Sequence, residues 1–516
     1  MTAPSPQFAP SPFANLPDAT AAAAWLRACG ARALVADHRR VQPGDAFLAW
    51  PGASHDGRRH LAAAEAAGAV ACLVEAEGAE ALGCAGPSDR PRAALRGLQA
   101  AAGGVADAFH GQPSATLPVV AVTGTNGKTS SALWIAQALA AAGRPCGVVG
   151  TLGVGRPEAM ASTGLTTPDA LTLHGALKRF VDEGLQGAAI EASSIGIVTN
   201  RLAGVRLRVA QFTNLTQDHL DFHGTMAAYA AAKRALFDWP GLPAAVLNVD
   251  DPVGRDWAAE LAGRAGLDLW TVSLDGPAAR LRATAWQPTV DGLAFELTET
   301  TPAGQALRRT VRAPVAGEFN VRNLLGVLAV LRALGLSLDE SVAAAAHVRP
   351  APGRLEPVTV PQATAGPAVL VDYAHTPDAL QQVLRALRPL AQARGGRLWC
   401  VFGCGGDRDA GKRPVMGAHA AALADQVVLT SDNPRSESPA HILAQILAGI
   451  ARRDHVDVLE DRGEAIAHAI GQAAPNDVVL LAGKGHESTQ EIAGESRPFS
   501  DLDQARRALA ARGAAA

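Results

Sequence analysis

The sequence predicts an α/β protein of three domains. These are a small N-terminal α/β domain, a central P-loop mononucleotide-binding domain with a mostly parallel sheet, and a C-terminal Rossmann-like α/β domain. Three observations predict this. A chain of 516 residues is too long for one ordinary core. Short apolar runs alternate with helical patterns along most of it, as expected of parallel strands joined by helices. A glycine-bearing stretch ending in Gly127-Lys128-Thr129 stands between one such run and a helical pattern.

In chain order, residues 1–17 hold Pro4, Pro6, Pro10 and Pro12 and read as a disordered proline-rich tail. Residues 18–112 form the first domain, with a helix over Leu61 to Gly68 and a strand over Ala69 to Glu75. The turn-rich Gly111-Gln112-Pro113-Ser114 leads into a second domain, residues 113–350. Its strands are expected at Pro118–Val122, Gly147–Gly150, Ala188–Ile190, Val209–Phe212 and Ala245–Leu247. Arg349-Pro350-Ala351-Pro352-Gly353-Arg354 punctuates the chain again. A third domain, 351–516, carries apolar runs at Ala368–Asp372, Arg397–Phe402, Gln426–Thr430 and Asp477–Leu481. Each run ends in a polar, glycine-bearing loop, where open α/β sheets bind ligands.

Composition narrows the class. Apolar residues at 48% and charged residues at 18% fit a soluble globular chain. A net charge of −3 and 4% aromatics leave neither an electrostatic footprint nor a stacking platform for nucleic acid. No apolar run reaches membrane-spanning length, and the N-terminus lacks the basic start and apolar centre of a signal peptide. Cys29, Cys72, Cys84, Cys146, Cys400 and Cys404 make no disulfide framework, and no second pair turns Cys400 and Cys404 into a zinc site. A cytoplasmic protein with reduced thiols is expected. A monomer is expected as well.

The chemistry begins at Thr123-Gly124-Thr125-Asn126-Gly127-Lys128-Thr129. Gly124 to Gly127 would aim backbone N–H groups at an anion at the start of a helix running from Lys128 to Ala142, with Gly143 at its end. Lys128 can reach terminal phosphates and the Thr129 hydroxyl can hold magnesium. Val122 stands where the usual motif has its first glycine. A nucleoside triphosphate is the expected ligand. Glu191 closes a strand and suits magnesium as a carboxylate. Taken singly, His219 and Lys233 read as a loop histidine and a solvated lysine, because imidazole is soft for magnesium and ammonium repels it.

Several motifs in order shift that weighting: the phosphate loop, Glu191-Ala192-Ser193-Ser194, Asp218-His219-Leu220-Asp221-Phe222-His223-Gly224, Asn320-Val321-Arg322-Asn323 and Asp372-Tyr373-Ala374-His375-Thr376-Pro377. Together they resemble the Mur ligases, which build the peptide stem of bacterial cell-wall precursors. The resemblance covers nearly the whole chain beyond the tail. It implies that Glu191, His219 and Thr129 hold Mg2+ and that Lys233 is carbamylated to N6-carboxylysine, turning an ammonium into a carboxylate ligand. Lys128, Lys233, Glu191 and His219 are the implied catalytic set. Asn323 is implied near adenine, and Asp372 and His375 near the ribose and phosphates.

Val41-Gln42-Pro43-Gly44-Asp45-Ala46-Phe47-Leu48-Ala49, Gly52 and His55-Asp56-Gly57 are similar to the uridine-binding pattern of members that add the third stem residue. Arg39, Thr166, Thr167, Ser193, Thr199 and Arg201 are then implied contacts of a UDP-muramoyl dipeptide. The chain departs from the pattern at His38, where serine is usual, and at Leu165, where some members have asparagine.

Asp432-Asn433-Pro434-Arg435 follows the strand ending at Thr430. An arginine fork there can grip a carboxylate bidentately. By resemblance it holds the distal carboxylate of meso-2,6-diaminopimelate with support from Arg408, while Gly483 and Glu487 hold the distal amine. Lysine would orphan Arg435, a loss of about 2–3 kcal/mol. The implied reaction is ADP-forming amide ligation through an acyl phosphate. A lysine-adding variant, a D-alanyl-D-alanine-adding or folate polyglutamate ligase, and a nucleotide switch without ligase chemistry are the rivals.

Overall fold

The structure is a computed structural model that describes residues 13–52, 55–274, 276, 278–289, 292–360 and 366–515. The chain divides into two compact units. The first takes residues up to Val122 with Gly143–Ala210 and Ala235–Pro243; the second takes Thr123–Ala142, Gln211–Arg234 and Ala244 onward.

The first unit opens on a wholly parallel five-stranded sheet, in the order Ala14–Leu16, Arg92–Leu95, Ala71–Glu75, Ala46–Ala49, Leu34–Val35. Successive strand residues point to opposite faces, which splits the core in two. Leu48, Leu73 and Leu95 pack with Leu26, Leu98 and Val105 from helices Ala19–Ala28 and Leu98–Phe109. Phe47, Val74 and Ala94 face the other way, onto Leu61 and Ala64.

Part of the expected disordered tail is ordered. Ala14–Leu16 is a strand paired with Arg92–Leu95, and its backbone ladder holds it despite the proline-rich context. Residues 1–12, the rest of that segment, lie outside the described residues. The same unit holds parallel strands Cys146–Gly150 and Gly187–Glu191 beside Val119–Thr123, and then antiparallel strands Gly153–Arg156 and Ala159–Ala161.

In the second unit, Ala244–Asn248, Asp268–Ser273 and Leu281–Thr289 pair in parallel. Gly292–Thr300 and Ala306–Ala313 then pair antiparallel with them, so the expected parallel sheet ends in a meander. Beyond it, Ala368–Asp372, Val478–Ala482, Leu398–Phe402, Gln426–Leu429 and Val456–Val458 form a parallel sheet in that order, with Glu356–Pro357 antiparallel at one edge. Helices Pro377–Ala393 and Lys412–Leu423 cover Leu370, Cys400, Phe402 and Leu480. Helices Arg462–Gln472 and Asp501–Ala515 cover the opposite face, Val371, Val401 and Leu481. Runs buried on both faces are why these strands read as unbroken apolar stretches.

The described cysteines are free and mostly buried, and no helix among the described residues is long and apolar enough to cross a membrane.

Candidate functional site

The fully buried strand Val119–Thr123 delivers the chain into Gly124, and helix Lys128–Ala141 starts directly after Gly127. Both glycines take left-handed backbone, φ +143° and +85°. A Cβ at Gly124 would collide with the Thr213 hydroxyl, and one at Gly127 with the Asn323 amide oxygen. Only glycine fits either place. The N-terminus of a fourteen-residue helix therefore faces the loop with its first N–H groups and the positive end of its dipole.

Side chains of the second unit lock this loop. The Asn126 N–H donates to Asn214 Oδ1 at 2.9 Å, and the Asn126 amide donates to Asp378 Oδ2 at 3.2 Å. Thr125 Oγ1 donates to the Thr216 carbonyl at 3.1 Å and lies 3.2 Å from the Tyr229 hydroxyl. Lys128 curls back, its ammonium donating to the carbonyls of Gly124 at 2.9 Å and Thr125 at 2.8 Å. Arg354 donates to Thr129 Oγ1 at 3.3 Å and stacks 4.4 Å over the Tyr373 ring. Asn323 is buried and donates to Asn320 Oδ1 at 3.1 Å.

Lys233 is not a solvated lysine. It is 1% exposed, donates to the Gly124 carbonyl at 2.8 Å and stands 4.3 Å over the Tyr229 ring. Burial pushes its ammonium well below the ordinary lysine range, the Lys128 charge adds to that, and Asp218 opposes it. His219 takes φ +52° before the short helix Leu220–His223, with its Nε2 3.5 Å from Asp218 Oδ2. Burial lowers the His219 pKa as well. Asp218 runs the other way. Burial raises its pKa, but the charges of His375, His219, Lys412 and Lys128 outweigh burial and hold it below the usual carboxylate range.

Asp372 and His375 sit at the end of strand Ala368–Asp372 and in the loop after it. Asp372 Oδ2 accepts from the Leu355 N–H at 2.7 Å, and burial raises its pKa to about 6. His375 Nδ1 meets the Tyr373 carbonyl at 2.7 Å, and the Lys412 ammonium donates to the His375 carbonyl at 2.8 Å. Burial lowers the His375 pKa to about 4, so the ring is neutral near pH 7.

A second cluster belongs to the first unit. Glu191 is 1% exposed; its Oε1 accepts from the Thr151 N–H at 2.8 Å and its Oε2 from the Thr151 hydroxyl at 3.1 Å. Thr166 lies 3.0 Å from that hydroxyl. The Thr167 hydroxyl donates to the Glu191 carbonyl at 2.6 Å and lies 2.9 Å from Ser193 Oγ. Arg201 donates to the Thr167 carbonyl at 2.8 Å. Four of the residues expected at a muramoyl ligand, Thr166, Thr167, Ser193 and Arg201, are thus joined in one hydrogen-bonded chain. Thr199 caps the end of helix Ser194–Val198, its hydroxyl donating to Ile195 O. Arg39 stands exposed in a bidentate pair with Asp37, which holds that carboxyl at about 2.

A third cluster forms where strands Leu398–Phe402, Gln426–Leu429 and Val478–Ala482 end. Asn433 donates to Glu487 Oε2 at 2.8 Å. Gly483 takes φ +115°, and a Cβ there would collide with Asp432 Oδ2, a buried oxygen without a hydrogen-bond partner. Arg435, following Pro434, takes φ +53°, and its guanidinium donates to the Gly406 carbonyl at 2.6 Å and lies 3.5 Å from Glu491. Arg408 lies 3.6 Å from Asp221. The structure therefore gathers Asp432, Asn433, Gly483 and Glu487, with Arg435 beside the Gly405-Gly406 turn.

The family description "Mur ligase middle domain" matches residues 122–331, and "Mur ligase, glutamate ligase domain" matches residues 353–485. The chain is 54% identical over 501 residues to the UDP-N-acetylmuramoyl-L-alanyl-D-glutamate--2,6-diaminopimelate ligase of Acidovorax sp. (strain JS42), covering 95% of this chain and 97% of that one. The chain belongs to the Mur ligase family. It is also 48% identical to the ligase of the same description from Ralstonia nicotianae, with 95% of each chain covered. A solved structure of a UDP-N-acetylmuramoyl-L-alanyl-D-glutamate--2,6-diaminopimelate ligase matches at 35% identity and a TM-score of 0.62, covering 93% of this chain and 95% of that one.

Three side chains of this Mur ligase were not singled out from sequence. Arg354 falls in the proline-punctuated junction, Lys412 follows the Gly-Gly-Asp-Arg loop, and Asp218 precedes the histidine that drew attention. The signal for Arg354 is faint: an arginine after Pro352-Gly353, where Gly353 has φ +66° and no room for a Cβ beside His486. Its contact with Thr129 spans 225 residues and leaves no trace in local periodicity.

Proposed function

We propose that this Mur ligase joins meso-2,6-diaminopimelate to UDP-N-acetylmuramoyl-L-alanyl-D-glutamate at the expense of ATP, in peptidoglycan precursor synthesis. The observation that carries the amine choice is the Asp432–Arg435 loop. It sets a guanidinium, a buried carboxylate oxygen without a partner and the Asn433–Glu487 pair at the mouth of one sheet. Such a pocket suits a molecule bearing both a carboxylate and an ammonium at its far end.

The reaction is an ADP-forming ligation. The D-glutamyl carboxylate attacks the γ-phosphorus and ADP leaves, giving an acyl phosphate. The free amine then adds to that carbonyl, and phosphate departs as the tetrahedral intermediate collapses. Gly124, Thr125, Asn126, Gly127, Lys128 and Thr129 hold the phosphates, with Lys128 swinging from its loop carbonyls to the transferring group. Asn323, Asp372 and His375 take the nucleoside side. Arg39, Thr166, Thr167, Ser193, Thr199 and Arg201 take the UDP-dipeptide. Arg408, Asp432, Asn433, Pro434, Arg435, Gly483 and Glu487 take diaminopimelate.

Magnesium supplies charge neutralisation at the phosphates when bound. Among the described residues, no group of three or more His, Cys, Asp or Glu is arranged to hold a metal. Lys233 fits the remaining need. A buried amine held towards its neutral form can add carbon dioxide, and the carbamate is an anionic oxygen ligand. Thr129, Glu191, His219 and carbamylated Lys233 are the proposed set.

The proposed domains are 18–112 for UDP, 113–350 for ATP and ligation, and 351–516 for the amino acid. The protein acts as a cytoplasmic monomer without nucleic acid. Phosphate release tests the reading. It should require ATP, the UDP-dipeptide and diaminopimelate together; release that ignores either acceptor would contradict it.

A further inference from the structure

Lys484 lies in the Gly483-Lys484-Gly485-His486-Glu487 loop between two residues proposed above to hold the amino acid. Its side chain is 0% exposed. The ammonium donates to Asn433 Oδ1 at 2.9 Å and to Glu487 Oε2 at 2.8 Å. Asn433 in turn donates its amide to the same Glu487 oxygen at 2.8 Å, and its Oδ1 also accepts from the Glu491 N–H at 3.1 Å. The three side chains close a ring that bridges loops about fifty positions apart in sequence.

This ring removes a choice. An asparagine amide can present oxygen or nitrogen to either neighbour, and both orientations have similar shape. An ammonium has donors only, so a buried Lys484, together with the Glu491 N–H, holds Oδ1 towards these donors and turns Nδ2 onto Glu487. Glu487 is then fixed through Oε2, which leaves Oε1 to serve an incoming ammonium.

We infer that Lys484 is the positioning residue of the amino-acid pocket, setting Asn433 and Glu487 before the diamine arrives. The inference rests on the ligase reading for the identity of the amine. Arg462 is the structural counterpart. It is a fully buried guanidinium paired with Asp501 that donates to the Ser431 and Ala482 carbonyls and touches neither Asn433 nor Glu487.

Steady-state kinetics on full-length Lys484→Met test it. KM for diaminopimelate should rise tenfold or more, with kcat at saturation, KM for ATP, KM for the UDP-dipeptide and Tm close to those of the parent. Lys484→Gln keeps a neutral amide donor group and should show the same split at about threefold, which gives a reading if the Met form folds poorly. In a double-mutant cycle with Glu487→Gln, the second substitution should add less than its effect alone, because both act through one ring. An unchanged KM, parallel rises for all three substrates, or effects that multiply fully would overturn the inference. If the parent enzyme joins a different amine, the diaminopimelate reading fails by itself, and the same split is read on the amine it uses.

Discussion

Lys233 shows what burial does to a single side chain. In sequence it is one more lysine in a helical stretch, and nothing local separates it from a solvated one. The fold places it against the Gly124 carbonyl and the Tyr229 ring, where charge is disfavoured and the amine becomes nucleophilic. Lys233→Arg keeps length and charge but cannot form a carbamate. It should lower turnover about 10²-fold or more while leaving ATP-analogue affinity near that of the parent. Carbon NMR after labelled bicarbonate should show a carbamate signal in the parent that is missing in the variant; a signal absent from both would contradict the proposed ligand.

Arg435 poses the complementary case, since its motif was legible and its geometry was not. Arg435→Ala removes the group proposed to distinguish a distal carboxylate. It should cut kcat/KM for diaminopimelate by about 30–150-fold, the equivalent of 2–3 kcal/mol, and leave the low rate with lysine nearly unchanged. Equal losses with both amines would place Arg435 outside the selecting contact.

Among the elements, those whose physics is local were the easiest to read. Strand Ala368–Asp372 appears where its apolar run predicts, and Val209–Phe212 does too. Helix Lys128–Ala141 ends one residue before the expected position, and Gly143 takes φ +75° just beyond it. Helix Met226–Arg234 tightens into a 3-10 turn at Ala235–Asp238. What stayed hidden depends on distant pairing. The strand Ala14–Leu16 exists because Arg92–Leu95 offers it a ladder, and Ala306–Ala313 sets exposed Arg308, Arg309 and Arg312 among buried Val311 and Ala313 and so lacks an apolar run. The site followed the same division. The phosphate loop was legible from spacing and Asp432–Arg435 from its place after a strand and from the family resemblance, whereas Arg354 on Thr129 and Lys412 on His375 join segments that only the fold brings together.

Two glycines at opposite ends of the helix give a prediction at this scale. Gly127→Ala forces left-handed backbone on an L side chain, about 1–2 kcal/mol, and drives its methyl into Asn323. ATP-analogue affinity should fall at least tenfold by equilibrium titration. Gly143→Ala meets nothing within 4 Å and should cost stability of about 1 kcal/mol with no change in nucleotide affinity.

For the molecule as a whole, buried neutral histidines govern acid stability. Burial lowers His110, His375 and His486 from 6.5 to about 4. A depressed histidine contributes stability that is present above pH 6.5 and lost as pH falls towards 4, because the unfolded chain binds the proton first. Asp372, raised by burial from 3.8 to about 6, acts in the opposite direction over nearly the same window. Three groups oppose one, so chemical denaturation at pH 4.5 should show a loss on the order of 5 kcal/mol relative to pH 7. Asp372→Asn removes the compensating carboxyl and should deepen that loss. A shallower pH dependence in the variant would contradict the assignment.

The most direct measurement supplies the purified protein with ATP, magnesium, bicarbonate and UDP-N-acetylmuramoyl-L-alanyl-D-glutamate. Equal amounts of meso-diaminopimelate and L-lysine compete, and the products are resolved by mass. The expected result is the UDP-dipeptide extended by one diaminopimelate residue, with ADP and phosphate formed in equal amount. A lysine adduct as the main product, or an unextended dipeptide, would contradict it.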